Sequence, residues 1–119
     1  GTPRILAYRL TGSLFFGAAN KLENLLLMQD GHPDAVILDL EKVISVDTTG
    51  LDILQTLQRN LARRGATLIL CDLNEQPGSL IRRSGFADRL GEENIAGNLT
   101  DALLRAQTVM PRNPGVSYV

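Results

Sequence analysis

The sequence predicts an α/β fold: a mostly parallel, at most mixed, β-sheet with about four α-helices. Two runs of branched apolar residues, Ala35-Val36-Ile37-Leu38-Asp39-Leu40 and Thr67-Leu68-Ile69-Leu70-Cys71-Asp72-Leu73, lack two-residue alternation, as strands buried on both faces of a parallel sheet do. Between them Leu51, Leu54, Leu57 and Leu61 recur at helical spacing, while Asp52, Gln55, Gln58, Arg59 and Arg63 fall on other faces. Strands and helices alternate along the whole chain, which requires crossover connections.

Taken in order, Arg4 to Leu10 is a partly alternating strand turned by Thr11-Gly12-Ser13. A helix follows from Gly17 to Met28, with Ala18, Leu22, Leu25 and Leu26 on its core-facing stripe and Asn20, Lys21, Glu23 and Asn24 towards water. Asp30-Gly31-His32-Pro33-Asp34 ends it with strong turn chemistry. After the strand at Ala35 and the leucine helix, Gly65 supplies the glycine at which helices stop. Beyond the strand ending at Leu73, Asn74 is expected to cap a short helix with Pro77 in its first turn. Gly85 ends that helix, and Phe86 stands where such an ending places its hydrophobic contact. Asn94-Ile95-Ala96-Gly97 is a short edge strand, and Asn98 caps a last helix with Leu99, Ala102, Leu103 and Ala106 on one face. Residues 1–110 therefore form one domain, and the aperiodic tail 111–119 is expected to be flexible or docked elsewhere.

Composition narrows the function classes. At 119 residues the chain can bury about two-thirds of its unfolded surface without crosslinks. No apolar run approaches the roughly 18 residues that a membrane span needs. A net charge of −1, no Trp and 4% aromatic residues argue against a nucleic-acid binder, which needs basic charge and stacking platforms. The arginines at 59, 63, 64, 82, 83 and 89 are most simply a solvated helix face, with an anionic partner or lipid headgroup as the rival reading. The single cysteine, Cys71, reads as a small core residue and points to a reducing, cytoplasmic setting.

The candidate functional site is the loop Asp47-Thr48-Thr49-Gly50 at the start of the leucine helix. All three polar side chains can accept hydrogen bonds from the first free backbone N–H groups, and Thr49-x-x-Asp52 fits a capping box. Capping alone suffices to explain them. The functional reading adds that a phosphoryl group on one hydroxyl would sit at the positive end of the helix dipole and bring about −1.5 to −2 of charge to a surface loop.

Enzyme readings find little support. His32 lies in a turn with no Cys or His neighbour to complete a metal site or a nucleophile–base pair. Neither a G-x-x-x-x-G-K-[ST] nor a G-x-G-x-x-G motif occurs. Asp39 could be cast as a receiver-type phosphoacceptor, yet the paired acidic cluster needed for Mg²⁺ is missing after the first strand, so Asp39 is expected to bond backbone near the Asp47 loop. No metal and no cofactor are expected. Weak nucleotide binding beside the helix start is conceivable only because free N–H groups attract phosphates in any fold.

Val36 to Leu40 followed by Asp47-Thr48-Thr49-Gly50-Leu51, then Gly65 to Cys71 and Ser84-Gly85-Phe86, resembles the STAS domain shared by sulphate transporters and anti-sigma factor antagonists. The segment Tyr8 to Ala19, with adjacent Phe15 and Phe16, is most similar to the carboxy-terminal STAS domain of SulP (SLC26-type) anion transporters. The resemblance implies a non-enzymatic regulatory domain on the cytoplasmic side of the inner membrane, itself not spanning it. Its partners would be the transmembrane part of the same transporter or a cytoplasmic regulatory protein. Leu14, Phe15 and Phe16 are then a candidate contact surface, with a core corner as the rival reading. In the antagonist branch, the implied phosphorylation site is Thr48, where a Ser is more usual. A nucleotide-sensing module is the third reading.

Overall fold

A computed structural model describes residues 5–11, 33–109 and 116–118 of the chain. In chain order the elements are β1 (Ile5–Thr11), β2 (Ala35–Lys42), α1 (Thr48–Arg63), β3 (Thr67–Cys71), α2 (Glu75–Arg83), α3 (Phe86–Leu90), a 3-10 turn (Glu92–Asn94), β4 (Ile95–Ala96), α4 (Leu99–Thr108) and β5 (Val116–Tyr118). The strands lie in the order β4-β3-β2-β1-β5, and every pairing among them is parallel. Ala35 of β2 stands opposite both Ile5 of β1 and Thr67 of β3, so the three central strands begin in line.

The missing alternation in β2 and β3 has a direct cause, since both faces of the sheet are covered. On one face Leu6, Leu10, Val36, Leu38, Leu40, Leu68 and Leu70 pack with Leu51, Leu54, Leu57 and Leu61 of α1, Ile81 of α2, and Phe86 and Leu90 of α3. On the other face Ile5, Ala7, Ala35, Ile37, Ile69 and Cys71 meet Ala102 and Ala106 of α4. Alanine at both α4 positions leaves little side-chain volume between that helix and the sheet. The four α1 leucines are the buried stripe expected from their spacing.

Gly65 ends α1 as read from the sequence. It is left-handed at φ 77°, its N–H donates to Ala62 O at 3.0 Å, and Ala66 N–H donates to Leu61 O at 2.8 Å. These two bonds satisfy carbonyls that a helix end would otherwise leave open. The end of α2 is a variation on the same device. Gly85, at φ 85°, donates to Arg82 O at 3.2 Å. The longer bond is relayed through Ser84, whose hydroxyl donates to Ile81 O at 3.1 Å and accepts from Phe86 N–H at 3.3 Å. Phe86 is fully buried, but it also opens α3, a short helix absent from the sequence reading.

Two further expectations meet the structure differently. Asn74 occupies the N-cap position of α2, yet its side chain makes no cap hydrogen bond and turns instead to the loop after β2. Within the tail expected to be flexible, Val116–Tyr118 pairs with β1 as an edge strand. The short strand at Ile95–Ala96 does lie at the opposite edge, as expected. The helix read over Gly17 to Met28 and the turn at His32 lie outside the described residues.

Candidate functional site

The loop between β2 and α1 emerges at the carboxyl ends of the central strands, where open α/β sheets usually present their sites. It is anchored from below. Val43 and Val46 are buried in the core, so the chain between them must bulge outward and carries Ile44 to 72% exposure. Val43 N–H closes a turn on Leu40 O at 3.0 Å.

Two side chains at the start of α2 clamp this loop. Asn74 Nδ2 donates to Val43 O at 2.8 Å and to Glu41 O at 3.0 Å. Gln76 Oε1 accepts from Val46 N–H at 2.7 Å while its Nε2 donates to Val46 O at 3.0 Å, as a neighbouring strand would. Backbone groups that irregular structure would leave open are thereby paired. The loop and the first turn of α2 form one surface.

Asp47 is the N-cap of α1. It is extended at φ −93° and ψ −178°, its Oδ1 accepts from Gly50 N–H at 2.8 Å, and its carbonyl accepts from Leu51 N–H at 2.9 Å. The expected box of Thr49 with Asp52 is therefore not used: Thr48 and Thr49 are the first two helical residues, and Asp52 lies beyond the first turn. Asp47 precedes them and offers a charged acceptor, a stronger N-cap than threonine. Among the described residues neither threonine hydroxyl is engaged in a side-chain hydrogen bond, and both residues are exposed, with Gly50 buried beneath them. Asp47→Ala should cost about 0.5–2 kcal/mol. Thr49→Ala should cost a few tenths at most, and urea unfolding of the two variants separates the cap from the bystander.

Beside the loop, Arg9, Asp39, Cys71 and Asp72 gather at the ends of β1, β2 and β3. Asp39 is 4% exposed; its Oδ1 accepts from Glu41 N–H at 2.9 Å and its Oδ2 from Arg9 Nε at 3.2 Å. It thus bonds backbone at the foot of the loop, as the sequence reading expected. Burial pushes the Cys71 thiol up to about 12, with the Asp39 charge adding to the effect. The Asp72 carboxyl is also raised, first by desolvation and then by Asp39, and its backbone is left-handed at φ 57°. Donor atoms of Asp39, Cys71 and Asp72 lie within 4.8 Å of one another. Both Asp39 oxygens already accept hydrogen bonds, from Glu41 N–H and Arg9 Nε, which accounts for its buried carboxylate without a metal ion.

Of the residues singled out by sequence, Asp47, Thr48, Thr49 and Gly50 come together at one helix start, whereas Leu14, Phe15 and Phe16 lie outside the described residues. The sequence reading missed the Asn74 and Gln76 clamps. Their only signal was a pair of amide side chains flanking Glu75, which a helix cap explained equally well.

Fold and loop together define a doubly covered, parallel α/β module with a hydrogen-bonded loop–helix junction at its carboxyl edge. The chain belongs to the STAS domain family, whose model matches residues 1–102. It is similar to the "Putative sulfate transporter YvdB" of Bacillus subtilis, at 29% identity over 94 residues that make up 78% of this chain and 18% of the relative. The chain thus spans about a fifth of that relative's length. Among solved structures it resembles a sulfate transporter family protein from Wolinella succinogenes, at 30% identity and TM-score 0.79, covering 88% of this chain and 86% of the other. It also resembles the SulP transporter STAS domain from Vibrio cholerae, at 27% identity and TM-score 0.81, covering 88% and 82%. No helix among the described residues is long and apolar enough to cross a membrane.

Proposed function

We propose that this chain is a non-catalytic, cytoplasmic regulatory and interaction domain of a SulP-family anion transporter of the sulphate type, acting through protein contacts around the Asp47–Gly50 loop. Its partners are the transmembrane part of the same transporter or a cytoplasmic regulatory protein. The observation that carries the placement is the similarity to sulfate transporters, of whose length the chain matches only a small part. The open reading frame containing the chain tests it. Ten or more hydrophobic spans upstream of Gly1 are expected, and their absence would overturn the transporter placement.

The loop is favoured as the contact surface because it is both exposed and rigid. Val46 is clamped by Gln76, Asp47 is fixed by the cap, and Thr48 and Thr49 project at the amino end of α1. A partner meeting such a surface has little loop entropy to remove. Added negative charge there stands at the positive end of the helix dipole, so it changes the surface without opposing the fold. Thr48→Glu should therefore leave thermal stability unchanged or slightly higher, and shift sulphate uptake by the parent transporter severalfold. Uptake identical for the parent, Thr48→Glu and Thr48→Ala proteins at equal membrane levels would remove the loop from the proposal.

A further inference from the structure

An open cleft of about 460 Å³ runs alongside α2, lined by Ile44, Asn74, Glu75, Gln76, Ser79 and Arg83. Glu75, Ser79 and Arg83 are four residues apart and form one stripe, about 12 Å from end to end at a rise of 1.5 Å per residue. The stripe carries opposite charges at its two ends. Arg83 Nε donates to Ser79 Oγ at 3.0 Å, which orients the guanidinium and leaves its terminal NH₂ groups open; among the described residues Arg83 has no ion-pair partner.

Facing this stripe is Ile44. It is one of only two large apolar side chains exposed among the described residues, the other being Leu104. Ile44 cannot fold back, because Val43 and Val46 on either side are buried and their backbone groups are held by Asn74 and Gln76. The same bonds fix the backbone that carries Ile44 beside the oriented arginine and the carboxylate, so a partner meeting these three side chains has little loop freedom to remove.

We propose that this cleft docks a helical segment of a partner protein carrying one apolar side chain between an acidic and a basic residue. The apolar group seats on Ile44, the carboxylate forms a forked pair with Arg83, and the base pairs with Glu75. On a helix the two charges must lie about two turns apart to match the 12 Å stripe. This deepens the reading above by naming the chemistry of the partner segment, and it rests on that reading for the existence of a protein partner.

The test is titration of the isotope-labelled chain, followed by amide NMR, with a short helical peptide carrying Glu, Leu and Lys at i, i+4 and i+8. Saturable shifts confined to Ile44, Ser79, Arg83 and their neighbours are expected, weakened about threefold to tenfold by Arg83→Glu and less by Arg83→Gln. A peptide with Lys in place of its Glu should bind the parent chain poorly and regain affinity for the Arg83→Glu chain. No saturable shift with the first peptide, or equal binding to the parent and Arg83→Glu chains, would overturn the proposal. Concentration-dependent shifts at the same residues without any peptide would overturn it too, assigning the face to a second copy of the chain. Failure of the loop reading shows separately, as an unchanged uptake by Thr48→Glu with the cleft shifts intact.

Discussion

Phe86→Ala is expected to lower the stability of the chain by about 3–5 kcal/mol. The phenylalanine is 0% exposed and packs with the leucines of α1 and the sheet, so truncation removes a full aromatic side chain from a close-packed interior. Relaxation into the space is restricted on the backbone side. The N–H of Phe86 is tied to the Ser84 hydroxyl and the preceding glycine holds a left-handed turn, which fixes where α3 begins. Against a total stability of about 5–15 kcal/mol for such a domain, the loss is a large fraction of the whole, and at the lower end of that range it leaves much of the protein unfolded. Urea unfolding of the parent and variant should show a large drop in midpoint at an unchanged slope. Phe86→Leu, closer in volume, should recover most of the loss. A deficit under about 1 kcal/mol for the alanine variant would mean that α3 shifts to fill the space and is not part of the rigid core.

Phe86 also shows where sequence reasoning reached and where it stopped. Its burial followed from its place after Gly85, since a glycine in that role brings an apolar side chain back onto the helix it ends. The helix that it starts did not follow, because the five residues of α3 make little more than one turn and cannot display a period. The strands β2 and β3 were legible because burial on both faces demands continuous apolar runs, and α1 because sixteen residues give its leucine stripe four repeats. In contrast, β5 consists of Val116–Tyr118 alone, and only its pairing with β1 makes it a strand. At the site, the cluster of acceptors before Leu51 located the helix start. Which acceptor caps it depended on where the chain leaves the core at Val46, a tertiary fact that made Asp47 the cap in place of Thr49. The amides of Asn74 and Gln76 bond groups about thirty residues away, and no local pattern announces such contacts.

Cys71 should be inert towards thiol reagents in the folded chain, and its burial should make stability fall as the solution becomes alkaline. The thiol is 0% exposed and lies beside the carboxyl groups of Asp39 and Asp72, so ionising it would place a negative charge in a poorly solvated corner. Its pKa therefore rises from 9.0 to about 12, chiefly through burial. The sign of the linkage follows from the proton count. Between those values the unfolded chain loses the thiol proton and the folded chain keeps it, so the folded state binds more protons and stability declines with pH. The contribution is intact below pH 9.0 and is lost progressively towards pH 12, with a slope of at most about 1.4 kcal/mol per pH unit. Cys71→Ala provides the comparison that cancels the contribution of every other group. Urea midpoints from pH 8 to 11 should fall more steeply for the parent than for the alanine variant, and the native thiol at pH 8 should react no faster than the chain opens. Rapid stoichiometric labelling of the native protein, or parallel midpoint curves for parent and variant, would show instead that the ends of β2 and β3 are open to water and that Asp39 does not stand in a desolvated corner.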